Sequence, residues 1–95
     1  MRGARVSYVQ EIVDRLDAEI PGNDPDLLRL YALLVMSTGV NTTMENIHDA
    51  WALWRSATRP DHPDLVPFDR LTPEVREYDR PYMDAVIRVA EEIYR

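Results

Sequence analysis

Asp24-Pro25-Asp26-Leu27-Leu28-Arg29-Leu30-Tyr31-Ala32-Leu33-Leu34-Val35-Met36 opens with an aspartate and a proline and then runs apolar, with Arg29 the one charged residue after Asp26. An aspartate before a helix accepts a first-turn N–H, and proline at the first helical position loses nothing, because its N–H would have had no partner there. From Leu27 to Met36 the helix is apolar on nearly every side. Such a helix cannot lie on a surface; it predicts a central, buried element, closed at Gly39.

The flanking segments supply what would cover it. Upstream, Val6, Val9, Val13, Leu16 and Ile20 recur at spacings of 3, 4, 3 and 4, a narrow stripe on one helix face. Glu11, Asp14, Arg15 and Asp17 lie off that stripe, and Pro21-Gly22-Asn23 ends the helix. Downstream, Thr42 and Glu45 read as a capping box, in which each side chain satisfies a backbone N–H of the first turn. Met44, Ile47, Trp51 and Trp54 continue as a core stripe, with Trp51 at its centre and expected to be largely buried, and Pro60 stops the helix. Between Arg59 and Leu71 stand Pro60, Pro63 and Pro67 with no helical period, which predicts a fixed irregular loop pinned by Leu65, Val66 and Phe68. Thr72-Pro73 restarts a helix. Pro81 disfavours helical dihedrals at Arg80, so a short helix over 73–79 and then a kink are expected. The last helix turns Tyr82, Val86, Val89 and Ile93 inward. The fold class is therefore all-α: a compact bundle of four to five short helices with a Pro-rich loop before the last ones, a single domain over 1–95.

Composition narrows the function classes. A chain of 95 residues has enough apolar surface for one core. It contains no cysteine, which excludes disulfides, thiolate nucleophiles and zinc–thiolate sites. Its net charge is −6 with a pI near 4.7, and every basic residue is arginine, with no basic run, so nucleic acid is not an expected partner. Residues 1–5 are basic, yet Gln10, Glu11 and Asp14 break the apolar run a signal peptide would need after them. No stretch approaches the ~20 apolar residues of a spanning helix, so neither a signal peptide nor a membrane anchor is expected, and a cytoplasmic location is.

Two runs carry a family resemblance. Glu45-Asn46-Ile47-His48-Asp49-Ala50-Trp51 resembles the opening helix of a ryanodine-receptor-type (RyR) repeat. His62-Pro63-Asp64-Leu65-Val66-Pro67-Phe68-Asp69-Arg70-Leu71 resembles its second signature, with Glu74 to Tyr78 next in the family's order. On that resemblance, 41–95 is one RyR-like repeat and 1–40 a separate N-terminal helical pair, a layout similar to short phage proteins, which would place the chain in the host cytoplasm. The resemblance implies a non-enzymatic module for a nucleotide-derived ligand. In the channels some tandem repeats hold adenine nucleotides between them, so a single repeat would need a homodimer to build that pocket. The chain also lacks the Trp-and-Gly segment that comes after the first signature in the channels.

His48 and Arg55, seven residues and roughly 10 Å apart along one helix edge, could bracket a phosphate-bearing ligand. The competing and more ordinary role for His48 is a hydrogen bond that orients the Pro-rich loop. Glu45 to His48 spells the Glu-x-x-His unit of di-iron bundles, but that chemistry needs two such units, so neither metal nor cofactor is expected. His62 has no nucleophile or paired carboxylate beside it in the sequence and is read as a loop brace, and Asp79–Arg80 as a salt-bridged corner. Trp51 and Trp54 read as core, with Trp54 nearer the stripe's edge and better placed to stack on a ligand. The ligand-binding candidates are thus His48, Arg55, Trp54, His62 and Phe68. Two functions fit: capture of a nucleotide-like small molecule, or a protein-interaction module that engages or inhibits a partner through its acidic face or an exposed helix stripe. An enzyme is not expected.

Overall fold

The computed structural model describes residues 7–94. Five α-helices succeed one another: α1 (Tyr8–Glu19), α2 (Pro25–Ser37), α3 (Met44–Thr58), the single turn α4 (Pro73–Arg76) and α5 (Arg80–Ile93). Short 3-10 turns stand at Gly39–Asn41, Phe68–Arg70 and Glu77–Asp79. Among the described residues there is no strand, and the protein is a small all-α bundle. The helix α2 is its axis, packed against α1, α3 and α5.

The Asp24 carboxylate accepts the Asp26 N–H at 2.8 Å, and Pro25 fills the first turn. Leu27, Leu28, Tyr31, Ala32 and Val35 are then buried along the helix. From the other elements come Ile12 and Leu16, Ile47, and Ala85, Val86, Val89 and Ala90. The small residues Ala85 and Ala90 let α5 approach closely, and Tyr82 and Ile93 cover the ends of its stripe. Of the first predicted stripe, Val6 lies outside the described residues. Leu16 is fully buried, while Val9, Val13 and Ile20 are half-buried. The fully buried partner of Leu16 is Ile12, which that stripe omitted: α1 meets α2 and α5 at once, and contact on two sides widens the buried face past Leu16 to include Ile12.

Two local boundaries differ from the expectation. The capping box of α3 is Thr43 with Asn46, not Thr42 with Glu45: Thr43 Oγ1 accepts the Asn46 N–H at 3.1 Å and Asn46 Oδ1 accepts the Thr43 N–H at 2.9 Å. Thr42 is committed elsewhere. Its hydroxyl donates to the Gly39 carbonyl at 2.7 Å and lies 2.6 Å from the Thr38 hydroxyl, tying down the turn that Gly39 makes possible at φ 55°. That buried threonine shifts the start of α3 by one residue.

The second difference is at Pro81. Arg80 is helical, with φ −60° and ψ −47°. The chain narrows to a 3-10 turn at Glu77–Asp79, before the proline, and Pro81 falls in the first turn of α5, where its missing N–H breaks no bond. The interruption of the α-helical pattern lies upstream of the proline, at Glu77–Asp79.

Candidate functional site

At one end of α2 a cleft of about 480 Å³ opens between α2, α3, the Pro-rich loop and the α4–α5 corner. Aromatic rings from three helices share its wall with Asn23, Asp24, Arg55, Asp64 and Asp79. Tyr31 of α2 and Tyr82 of α5 lie tilted with centroids 5.6 Å apart. Trp51 meets the edge of His62 at 5.1 Å. Trp54 carries the Arg55 guanidinium on its face, with Cζ 4.4 Å from the ring centroid. Tyr78 stands at the rim, 70% exposed.

Each ring is placed by its element. Trp51, Trp54 and Arg55 fall at helical spacing on one side of α3, facing the corner. His62 is held by its own loop: its Nδ1 accepts the Asp64 N–H at 3.1 Å, so in this arrangement the imidazole is neutral with its proton on Nε2. Arg76 fastens the same loop from below, donating to the carbonyls of Phe68 (3.2 Å) and Asp69 (2.6 Å) with its guanidinium 5.4 Å from the Phe68 ring.

The polar groups of the cleft are few and incompletely paired. Arg80, expected to pair with Asp79, instead forms a two-pronged pair with Glu77 at 2.7 and 3.1 Å, one turn back on the same face. That bond holds the Glu77 carboxyl below the usual carboxylate range. Asp79, by contrast, has no ion-pair partner among the described residues. Burial pushes its carboxyl up from 3.8 to about 6, against the opposing pull of His48. The Tyr31 hydroxyl is also raised, by burial first and then by Tyr82 and Asp79. On the opposite wall, the Arg55 Nε is buried without a hydrogen-bond acceptor among the described residues. Asp24 and Asp64 complete the charges, so three carboxylates face one guanidinium.

Of the sequence candidates, Arg55, Trp54 and His62 come together in this cleft. His48 and Phe68 do not line it. His48 is 3% exposed, its Nε2–H donates to the Val66 carbonyl at 2.6 Å, and its ring lies between Trp51 (5.7 Å) and Phe68 (6.1 Å). The edge that was to join His48 to Arg55 is divided: one turns inward to the loop and the other out to the cleft. Trp51, expected to be largely buried, is half-buried and forms cleft wall, because Ile47 and His48 occupy the interior of α3. Tyr31, Asp79 and Tyr82 were missed as site residues. A tyrosine inside an otherwise aliphatic run was a usable signal, since its hydroxyl needs a polar edge or water.

Fold and site together define a small helical bundle with an aromatic cleft at one end. The chain belongs to the family described as a domain of unknown function (DUF7701), whose model matches residues 7–91. No curated protein and no solved structure matches it. The family match corrects the RyR resemblance: no RyR-type domain is found, and the match runs through the N-terminal helices and the supposed repeat alike. The two runs behind that resemblance are a capped amphipathic helix and a Pro-rich brace, patterns set by helix and loop physics that unrelated bundles can share. The between-repeat nucleotide site, the dimer needed to complete it and the phage setting lose the support they drew from it. Among the described residues, no helix is long and apolar enough to cross a membrane.

Proposed function

We propose that this protein is a non-enzymatic binding module whose ligand is a small molecule held in the aromatic cleft. One observation carries this reading: rings from α2, α3 and α5 converge on a concavity beside the partly exposed Asp79 carboxylate, which lacks an ion-pair partner among the described residues. Its volume of about 480 Å³ lies within the roughly 300–1,000 Å³ of small-molecule sites. Binding sites leave polar groups unspent so that a ligand can complete them. The arrangement gives no support to catalysis: the His62 Nδ1 is already occupied, and no nucleophile–base pair stands in hydrogen-bond reach among the described residues. Nucleotide as the ligand rested on the RyR resemblance and gains nothing from a cleft in which carboxylates outnumber cations. A protein partner inserting a side chain is the second reading, favoured by the exposure of Tyr78 at the rim.

The chain supplies its own reporters, because its two tryptophans both line the cleft. A fragment screen by nitrogen-15 NMR should give hits that move the indole N–H signals of Trp51 and Trp54. Hits that move only residues of the open groove between Val35 and Tyr94, at the far ends of α2 and α5, would place the site elsewhere and defeat the proposal.

A further inference from the structure

The cleft holds several rings and a single cation, and its Asp79 carboxylate has no ion-pair partner among the described residues. We infer that its ligand is a small organic cation, a substituted ammonium or guanidinium with an apolar or aromatic body, whose charge meets the Asp79 carboxylate beside the rings of Trp51 and Tyr82. This rests on the cleft being the binding site, and specifies its chemistry.

Charge complementarity is the first argument. Asp24, Asp64 and Asp79 face the cleft against Arg55 alone, and the His62 ring is neutral as it is hydrogen-bonded. Asp24 is already engaged, accepting the Asp26 N–H at the start of α2. Asp79 is not: the nearest arginine in the chain, Arg80, is taken by Glu77. An anion entering here would meet uncompensated carboxylates in a partly dehydrated space, where like charges repel more strongly than in water.

Ring geometry is the second. Aromatic faces attract cations through their quadrupole, most strongly where water is excluded. The cleft already displays this chemistry once, in the Arg55 guanidinium stacked on Trp54. That stack occupies Trp54 and the core buries Tyr31, so Trp51 and Tyr82 are the rings left open to a ligand. A ligand combining a cation with a flat or alkyl body answers Asp79 and the rings together. The cation also explains why an unpaired carboxylate is tolerated in the wall: its burial is unfavourable in the free protein and is relieved on binding.

The test uses the full chain, labelled with nitrogen-15, at pH 7.5. Three probes of one shape are titrated while the two indole signals are followed: benzylammonium, neutral benzyl alcohol and the anion phenylacetate. Benzylammonium should bind at least about tenfold tighter than benzyl alcohol, the size of one charge-assisted contact, and phenylacetate should bind weakest. Asp79→Asn should lower benzylammonium affinity by about tenfold and benzyl alcohol affinity by much less, closing the gap between the two probes. If benzyl alcohol or phenylacetate binds as tightly as benzylammonium, the cation inference is overturned and the cleft remains the site. If a lysine-bearing peptide moves the indoles and benzylammonium does not, the small-molecule assignment is overturned in favour of a protein partner. If no probe moves either indole, the inference is again overturned. The fragment screen then reports separately on whether the cleft binds anything.

Discussion

Asp79 is the residue where stability and binding pull in opposite directions. Its carboxyl titrates near 6 in the fold against 3.8 ordinarily, because burial disfavours the charged form more than His48 favours it. Proton uptake sets the sign. Between these values the folded state holds the proton and the unfolded chain does not, so this group stabilises the fold at low pH and the benefit is lost as pH rises through 6. At pH 7 the ionised carboxylate is a liability, and Asp79→Asn should raise stability by about 1–2 kcal/mol, a figure reduced from the full shift because the group is only partly buried. At pH 4 the gain should shrink toward zero, and urea unfolding at the two pH values measures both. A structural aspartate would behave in the opposite way, losing stability on replacement. His48 provides the contrast. It bonds Val66 and is screened from the cleft, so His48→Gln should cost about 1 kcal/mol of stability and leave ligand affinity nearly unchanged. A large loss of affinity with intact stability would bring His48 back into the site.

At the scale of elements, the sequence was most legible where a signal is local. Asp24-Pro25 and Thr72-Pro73 mark the starts of α2 and α4 because cap and proline act within one turn. It was less legible where two local signals compete. Thr42 and Thr43 are adjacent and chemically equivalent, and what separates them is the hydrogen bonding of Thr42 to Thr38 and Gly39, visible only once the chain has turned. This distinction can be measured. Thr43→Ala should destabilise the protein by about 1 kcal/mol, the usual loss for a hydroxyl cap. Glu45→Ala, at an exposed first-turn position outside the box, should stay within about 0.5 kcal/mol. The reverse order in thermal or urea unfolding would restore the Thr42–Glu45 register. Pro81 illustrates the same limit: proline identity predicts a break but not the side on which it falls, and here the α-helical pattern gives way to the 3-10 turn at Glu77–Asp79, before the proline.

For the whole molecule, what the sequence could not supply was convergence. Trp54 and Arg55 are neighbours on one helix and were readable as a pair. Tyr31, Asp79 and Tyr82 reach the same cleft only because α5 packs back against α2. The consequence is a linkage between protons, ligand and fold. Around Asp79 stand Tyr31 and Asp24 from α2, His48 and Arg55 from α3, His62 and Asp64 from the loop, Glu77, Tyr78 and Arg80 from the corner, and Tyr82 from α5. If Asp79 meets the cation, a proton and the ligand compete for one carboxylate. Benzylammonium affinity should then fall by about tenfold between pH 7 and pH 5, as Asp79 takes up its proton near 6. Because a ligand stabilises only the state that binds it, the melting-temperature rise at a fixed probe concentration should be largest at pH 7 and nearly vanish at pH 5. Asp79→Asn should flatten both profiles at the weaker level. A profile that keeps its slope in the variant would assign the proton to another group and would remove Asp79 from the site.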